Sequence, residues 1–175
     1  MIEIPAEVKE YLSSRDALHR VQVVNHYPNL QQTLSEPQTR TAILTWLTSE
    51  EAWEQSMSSL LDSCLAFLQA GATPEESPIV RNFLFHNNPH VRLHAYEFLI
   101  SLYFPDQNPE ALLILLHSML LDADDLVRTQ AISYIERANL VTELKEFLKG
   151  WLKAAPSRGW SQTESFELVE RFSNN

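Results

Sequence analysis

A short pattern occurs twice in the middle of the chain at a fixed interval. Pro89-His90-Val91-Arg92-Leu93-His94-Ala95 is answered by Asp125-Leu126-Val127-Arg128-Thr129-Gln130-Ala131, so Val, Arg and Ala each recur 36 positions apart. An interval of that size fits one helical hairpin per repeat. A single hairpin cannot bury its own apolar face, so such units stack on their neighbours. The rest of the sequence agrees with a helical reading. No segment sustains the two-residue alternation of a half-buried strand. Only Gly71, Gly150 and Gly159 are available for tight hairpins or phosphate-cradling loops. The expectation is an all-α chain with no strands, forming one domain over residues 1–175.

Charge narrows the partners. The net charge is −10, and residues 1–88 and 89–175 carry −6 and −4 of it. A surface with acid spread over it repels nucleic acid and anionic membranes, and it suits a protein partner with a basic surface. Cys64 is the single cysteine, so no intramolecular disulfide forms, in keeping with a cytoplasmic protein. The first residues, MIEIPAEVKEYLSS, lack the basic and apolar regions of a signal peptide. The longest apolar run, Ala111 to Leu116, is too short to span a bilayer.

In chain order, helices are expected over Pro5–Ser13 and Asp16–His26, the second with Leu18, Val21 and Val24 inward. Ser35-Glu36-Pro37 starts another, whose Pro37, Thr39 and Arg40 echo Pro89, Val91 and Arg92. Ser49–Ala70 reads as the longest helix, with a stripe running from Trp53 through Met57, Leu61, Cys64 and Leu68. Thr73-Pro74 begins a helix that stops at Asn87-Asn88-Pro89. Helices follow at Pro89–Tyr103, Pro109–Leu121, Leu126–Ala138, Thr142–Ala154 and Ser161–Phe172. Phe104 to Pro109 reads as a loop, Thr142 as a cap, and Ser161 with Glu164 as a capping box.

An apolar helix, a short Asp- or Asn-rich turn, then Val-Arg, Ala and Leu is the order in residues 77–103 and again in 109–139. It resembles the HEAT-type repeat, a family of α-solenoids that includes the HEAT-like repeats of phycobilin lyases. Weaker copies lie at 16–48 and 141–172. The resemblance implies a short right-handed α-solenoid, irregular at both ends, where atypical repeats act as caps. It further implies that Val91, Arg92, Ala95, Val127, Arg128 and Ala131 are structural positions. The arginines would reach acidic turn residues or carbonyl ends in the adjacent layer.

Chemistry-bearing residues are few. His86, His90 and His94 have four-residue spacing, but Asn87-Asn88-Pro89 separates His86 from the other two. His90-Val91-Arg92-Leu93-His94 lacks the Glu that a metalloprotease helix carries after its first His. No metal site and no cofactor are expected. Cys64 on an apolar stripe reads as a packing thiol. Asp122, Asp124 and Asp125 resemble the start of a calcium loop, yet Val127 stands where Gly is required, so they read as turn and cap residues. Trp46 and Trp53 are expected in the core, and Trp160, after Gly159, in a loop and exposed.

In a HEAT-like array the second helix of each hairpin lines the concave side. That places His90, His94, Glu97, Ser101, Leu126, Gln130, Ser133 and Arg137 on a partner-binding face. The expected function is a non-catalytic protein-interaction or scaffold module. An accessory subunit of a phycobilin-lyase-type enzyme is the alternative. Nucleic-acid binding, as in HEAT-like DNA glycosylases, is opposed by the acidic surface.

Overall fold

The computed structural model describes residues 3–103 and 108–173; of the Phe104–Pro109 loop, residues 104–107 lie outside the described residues. Among the described residues there are eleven α-helices and no strand. They are α1 (Ala6–Ser13), α2 (Ala17–His26), α3 (Leu30–Ser35), α4 (Pro37–Leu47), α5 (Ser58–Gln69), α6 (Ser77–Arg81), α7 (Pro89–Tyr103), α8 (Pro109–Leu120), α9 (Asp125–Arg137), α10 (Val141–Ala154) and α11 (Glu164–Ser173). Five 3₁₀ turns link them. Among the described residues no helix is long and apolar enough to cross a membrane.

The fold divides into two compact units, residues 1–102 and 103–175. In the first, α1 packs on α5, α2 and α3, and α4 on α3 and α5. Val8, Ile43, Leu61, Cys64, Leu65 and Leu68 are fully enclosed there. Burial pushes the Cys64 thiol up to about 12, so it stays a neutral packing group. In the second unit, α9 packs on α8 and α11, and α10 on α11.

The 36-residue interval is written into hydrogen bonds as well as side chains. Arg92 Nη1 donates to the carbonyls of His86 (2.8 Å) and Asn87 (3.1 Å). Arg128 Nη1 donates to the carbonyls of Asp122 and Ala123, both at 2.8 Å. In each case the arginine folds back six and five positions onto the turn that leads into its own helix. These carbonyls belong to the arginine's own turn, whereas the sequence pointed to carbonyl ends of an adjacent layer. The N-caps match too: Asn88 Oδ1 accepts from His90 N (2.9 Å) and Asp124 Oδ1 from Leu126 N (2.9 Å). One step earlier, His86 Nδ1 and Asp122 Oδ1 accept from the N–H two residues on, at 3.1 and 2.8 Å. A histidine nitrogen here does the work of a carboxylate oxygen. Val91, Ala95 and Leu99 are buried, as are Val127, Ala131 and Ile135, so the inward face repeats as well.

Arg40 does related work over a longer reach. Its Nε and Nη2 hold the two oxygens of the buried Glu76, and its Nη1 and Nη2 donate to the carbonyls of Ala70 and Leu68 at the end of α5. Burial alone pushes the Glu76 carboxyl up; the Arg40 bonds and the Thr73 N–H outweigh it and hold the group below the usual range.

The second unit turns on Arg128, which is 1% exposed. Beyond the two carbonyls, its Nη2 donates to Asp125 Oδ1 (2.9 Å) and its Nε to Ser165 Oγ (3.2 Å). Its guanidinium lies 4.2 Å from the centre of the Trp160 ring. Asp125 then carries the connection onward. Its Oδ1 accepts from Ser165 Oγ (2.6 Å), and its Oδ2 accepts from Glu164 N (3.1 Å) at the start of α11. The final helix is thus capped from α9, with Thr163 Oγ1 receiving Phe166 N at 3.4 Å. The expected Ser161 capping box does not form, because α11 begins at Glu164 and Thr163, not Ser161, precedes it. Thr142 likewise does not cap α10, which begins at Val141 after the left-handed Asn139 (φ 55°) closes α9.

Two further expectations are corrected. The long helix over 49–70 is broken: Glu54 is extended (ψ 136°), flanked by 3₁₀ turns at Glu51–Trp53 and Gln55–Met57, and α5 starts at Ser58. Trp53 leaves the stripe, is 45% exposed, and stacks on Phe83 at 4.9 Å. On α2, Asp16 caps the helix, but Leu18 and Val21 face out and Val23 faces in.

Removing Arg128 takes the donors from two turn carbonyls and the charge partner from Asp125 at a buried position, whereas half-buried Arg92 leaves groups that water can reach. Arg128→Met is expected to lower unfolding free energy in urea by about 3 kcal/mol, and Arg92→Met by about 1 kcal/mol. Equal losses would contradict the difference in their surroundings.

Candidate functional site

The residues expected on a binding face fall in both units, four in each. On α7, His90 and Ser101 are exposed, and Ser101 Oγ turns back to the carbonyl of Phe98 at 2.6 Å. His94 is half-buried and engaged: its Nδ1 is 2.6 Å from Asp62 Oδ1 on α5, and its Nε2 is 3.7 Å from Glu97 Oε2. His94 therefore ties α7 to α5 and is no bare imidazole. On α9, Leu126 is exposed, Gln130 and Ser133 are half-buried, and Arg137 lies over the Tyr134 ring at 4.3 Å while its Nε donates to the Ser133 carbonyl. Among the described residues no three His, Cys, Asp or Glu side chains gather as a metal site.

A more complete site lies elsewhere in the second unit. An open groove of about 270 Å³ is lined by Leu121, Glu146, Phe147, Gly150, Trp151, Ala154, Arg158 and Trp160. Its walls are fixed by the chain's own contacts. Trp151 Nε1 donates to the Leu120 carbonyl at 2.6 Å, which pins the indole and uses its one polar atom. Trp160 stacks on Trp151 at 5.6 Å, with the Arg128 guanidinium at 4.2 Å and that of Arg158 at 5.0 Å from its ring. Phe147 stacks on His117 of α8 at 4.1 Å. Burial lowers the His117 pKa, which favours the neutral imidazole behind Phe147.

Two sequence details shape the opening. Gly159 (φ 73°) ends the 3₁₀ turn in a left-handed conformation, and Trp160 N then donates back to the Ala155 carbonyl at 2.9 Å. That reversal carries Trp160 onto Trp151, so the expected exposed loop tryptophan is half-buried as a wall of the groove. Gly150 sits mid-helix in α10 with nothing within 4 Å of where a Cβ would be. The helix does not need a glycine there for its own packing, and the glycine leaves the groove floor bare.

The apolar surface continues along α8. Ile114 (62% exposed) and Leu121 (47% exposed) lie two turns apart on one face, with His117 between them. Sequence reading missed this site, since exposed leucines and a helical glycine look unremarkable one at a time. The signal was the combination of Gly150 in a strongly amphipathic helix with tryptophans on either side of Gly159.

No family model, curated protein or solved structure matches the chain.

The Asp62 hydrogen bond raises the His94 pKa above its ordinary value. Partial burial opposes it, and the charges of Asp62 and Glu97 add to it. A histidine held charged in the fold stabilises fully below its unfolded pKa of about 6.5, and that contribution disappears as pH rises through the raised folded value. Nuclear magnetic resonance should show His94 titrating above pH 6.5, and Asp62→Asn should bring it down. The fall in urea midpoint above neutrality should shrink in the same variant.

Proposed function

We propose that this chain is a HEAT-like helical-repeat protein of the cytoplasm that works as a protein-interaction module, binding a partner segment in the groove between α8 and α10. The matched back-folded arginines at 92 and 128 support the repeat reading, since the same turn, cap and clamp recur at one interval. The groove carries the functional reading. Interfaces concentrate their energy in a few well-packed Trp, Tyr and Arg residues beside open apolar surface. Here the tryptophans are already held in place, so docking would immobilise little that is not already fixed.

Gly150 separates fold from function in the test. Gly150→Ala should raise unfolding free energy by about 0.5–1 kcal/mol, because a mid-helix glycine is a poor helix former and the added methyl meets nothing. Gly150→Leu should keep the helical circular dichroism and fill the groove. A partner retained by the wild-type protein from its own cell extract should be lost with Gly150→Leu and kept with Gly150→Ala. Retention by both would move the binding site off α10.

A further inference from the structure

The charge beside the groove has the opposite sign to the rest of the protein. From Val141 to Trp160 the cations are Lys145, Lys149, Lys153 and Arg158, and the only carboxylates are Glu143 and Glu146. The segment is therefore net +2 in a chain of −10. Lys145, Lys149 and Lys153 are spaced four apart and all are exposed, so they form one stripe along α10. The groove residues Glu146, Gly150 and Ala154 follow each lysine by one position, about 100° round the helix. The lysine stripe thus runs along one rim of an apolar floor. Arg158 sits at its end, and Lys149 is shared with Glu146 at 2.8 Å.

We infer that the groove takes an acidic amphipathic helix of a partner protein, with apolar side chains against Leu121, Phe147, Gly150 and Trp160 and carboxylates toward Lys149, Lys153 and Arg158. The inference rests on the groove being the binding site, as proposed above, and adds the chemistry of the occupant. Shape agrees with it. The exposed pair Ile114 and Leu121 spans two helical turns, about 10 Å, as Phe147 and Ala154 do on α10. That length suits anchors at i, i+3 or i+4, and i+7 of a docked helix. Charge agrees with it as well. A basic helix would meet the lysine stripe unfavourably, while the net charge of −10 disfavours an acidic partner on the chain as a whole and favours it here.

The test uses the full chain and fluorescein-labelled designed peptides of about four helical turns. All have Leu and Phe at the i, i+3, i+7 positions; the remaining positions are Glu in one peptide, Gln in a second and Lys in a third. The Glu peptide should bind, at least about tenfold more tightly than the Lys peptide, and should weaken as salt rises. Lys149→Gln with Lys153→Gln should weaken it several-fold and flatten the salt dependence, leaving the helical spectrum intact. Gly150→Leu should abolish binding. If the Gln or Lys peptide binds as well as the Glu peptide, the acidic assignment is overturned while the groove reading stands. If no peptide binds, both fall. If sedimentation shows a dimer that Gly150→Leu dissociates, the occupant is a second copy of this chain and the acidic-helix assignment is overturned.

Discussion

An arginine folded back onto the turn before its own helix is the interaction on which the second unit depends. A tight turn into a helix leaves carbonyls that no helical N–H can reach. Arg128 supplies donors to two of them, and it does so from a helix face that is otherwise apolar. Burying a guanidinium carries a large desolvation penalty unless its donors are filled. Here they are filled by carbonyls, by Ser165 and by Asp125, and its flat face is covered by Trp160. Lysine would offer one charged point in place of that planar fork.

The same cluster positions the groove. Asp125 caps α11, Ser165 joins α11 to α9, and Trp160 sits between Arg128 and Arg158 before stacking on Trp151. Fold and site are therefore coupled through one tryptophan. The ring that shields the buried cation also lines the groove.

Much of this was legible in the sequence wherever the information was local. The 36-residue interval marked both turns, and Asp124 read as a turn or cap residue because a carboxylate before a helix accepts its first N–H groups; Asn88 fills the same place in the earlier copy. His94 as a residue of interest was legible; Asp62, its partner 32 positions earlier, was not, since pairing across helices depends on their rotation. The exposed faces of α2 and Trp53 were misread for the same reason. Periodicity says that apolar residues share a face, and packing decides which face turns in. The groove was the least legible feature. Its floor is an absent side chain at Gly150, and its walls need the left-handed reversal at Gly159 to bring Trp160 back to Trp151.

The central claim is that the Arg128 clamp, rather than apolar packing alone, fastens α11 and the Trp160 wall to α9. Native-state amide hydrogen exchange in Arg128→Gln, compared with Arg92→Gln, addresses it most directly. Fast exchange should appear at Glu164 to Phe166, at Trp160 and in the 122–128 turn in Arg128→Gln, with α10 still protected. In Arg92→Gln the change should be confined to the 86–92 turn and the first turn of α7. Unchanged protection of α11 and Trp160 in Arg128→Gln would contradict the account.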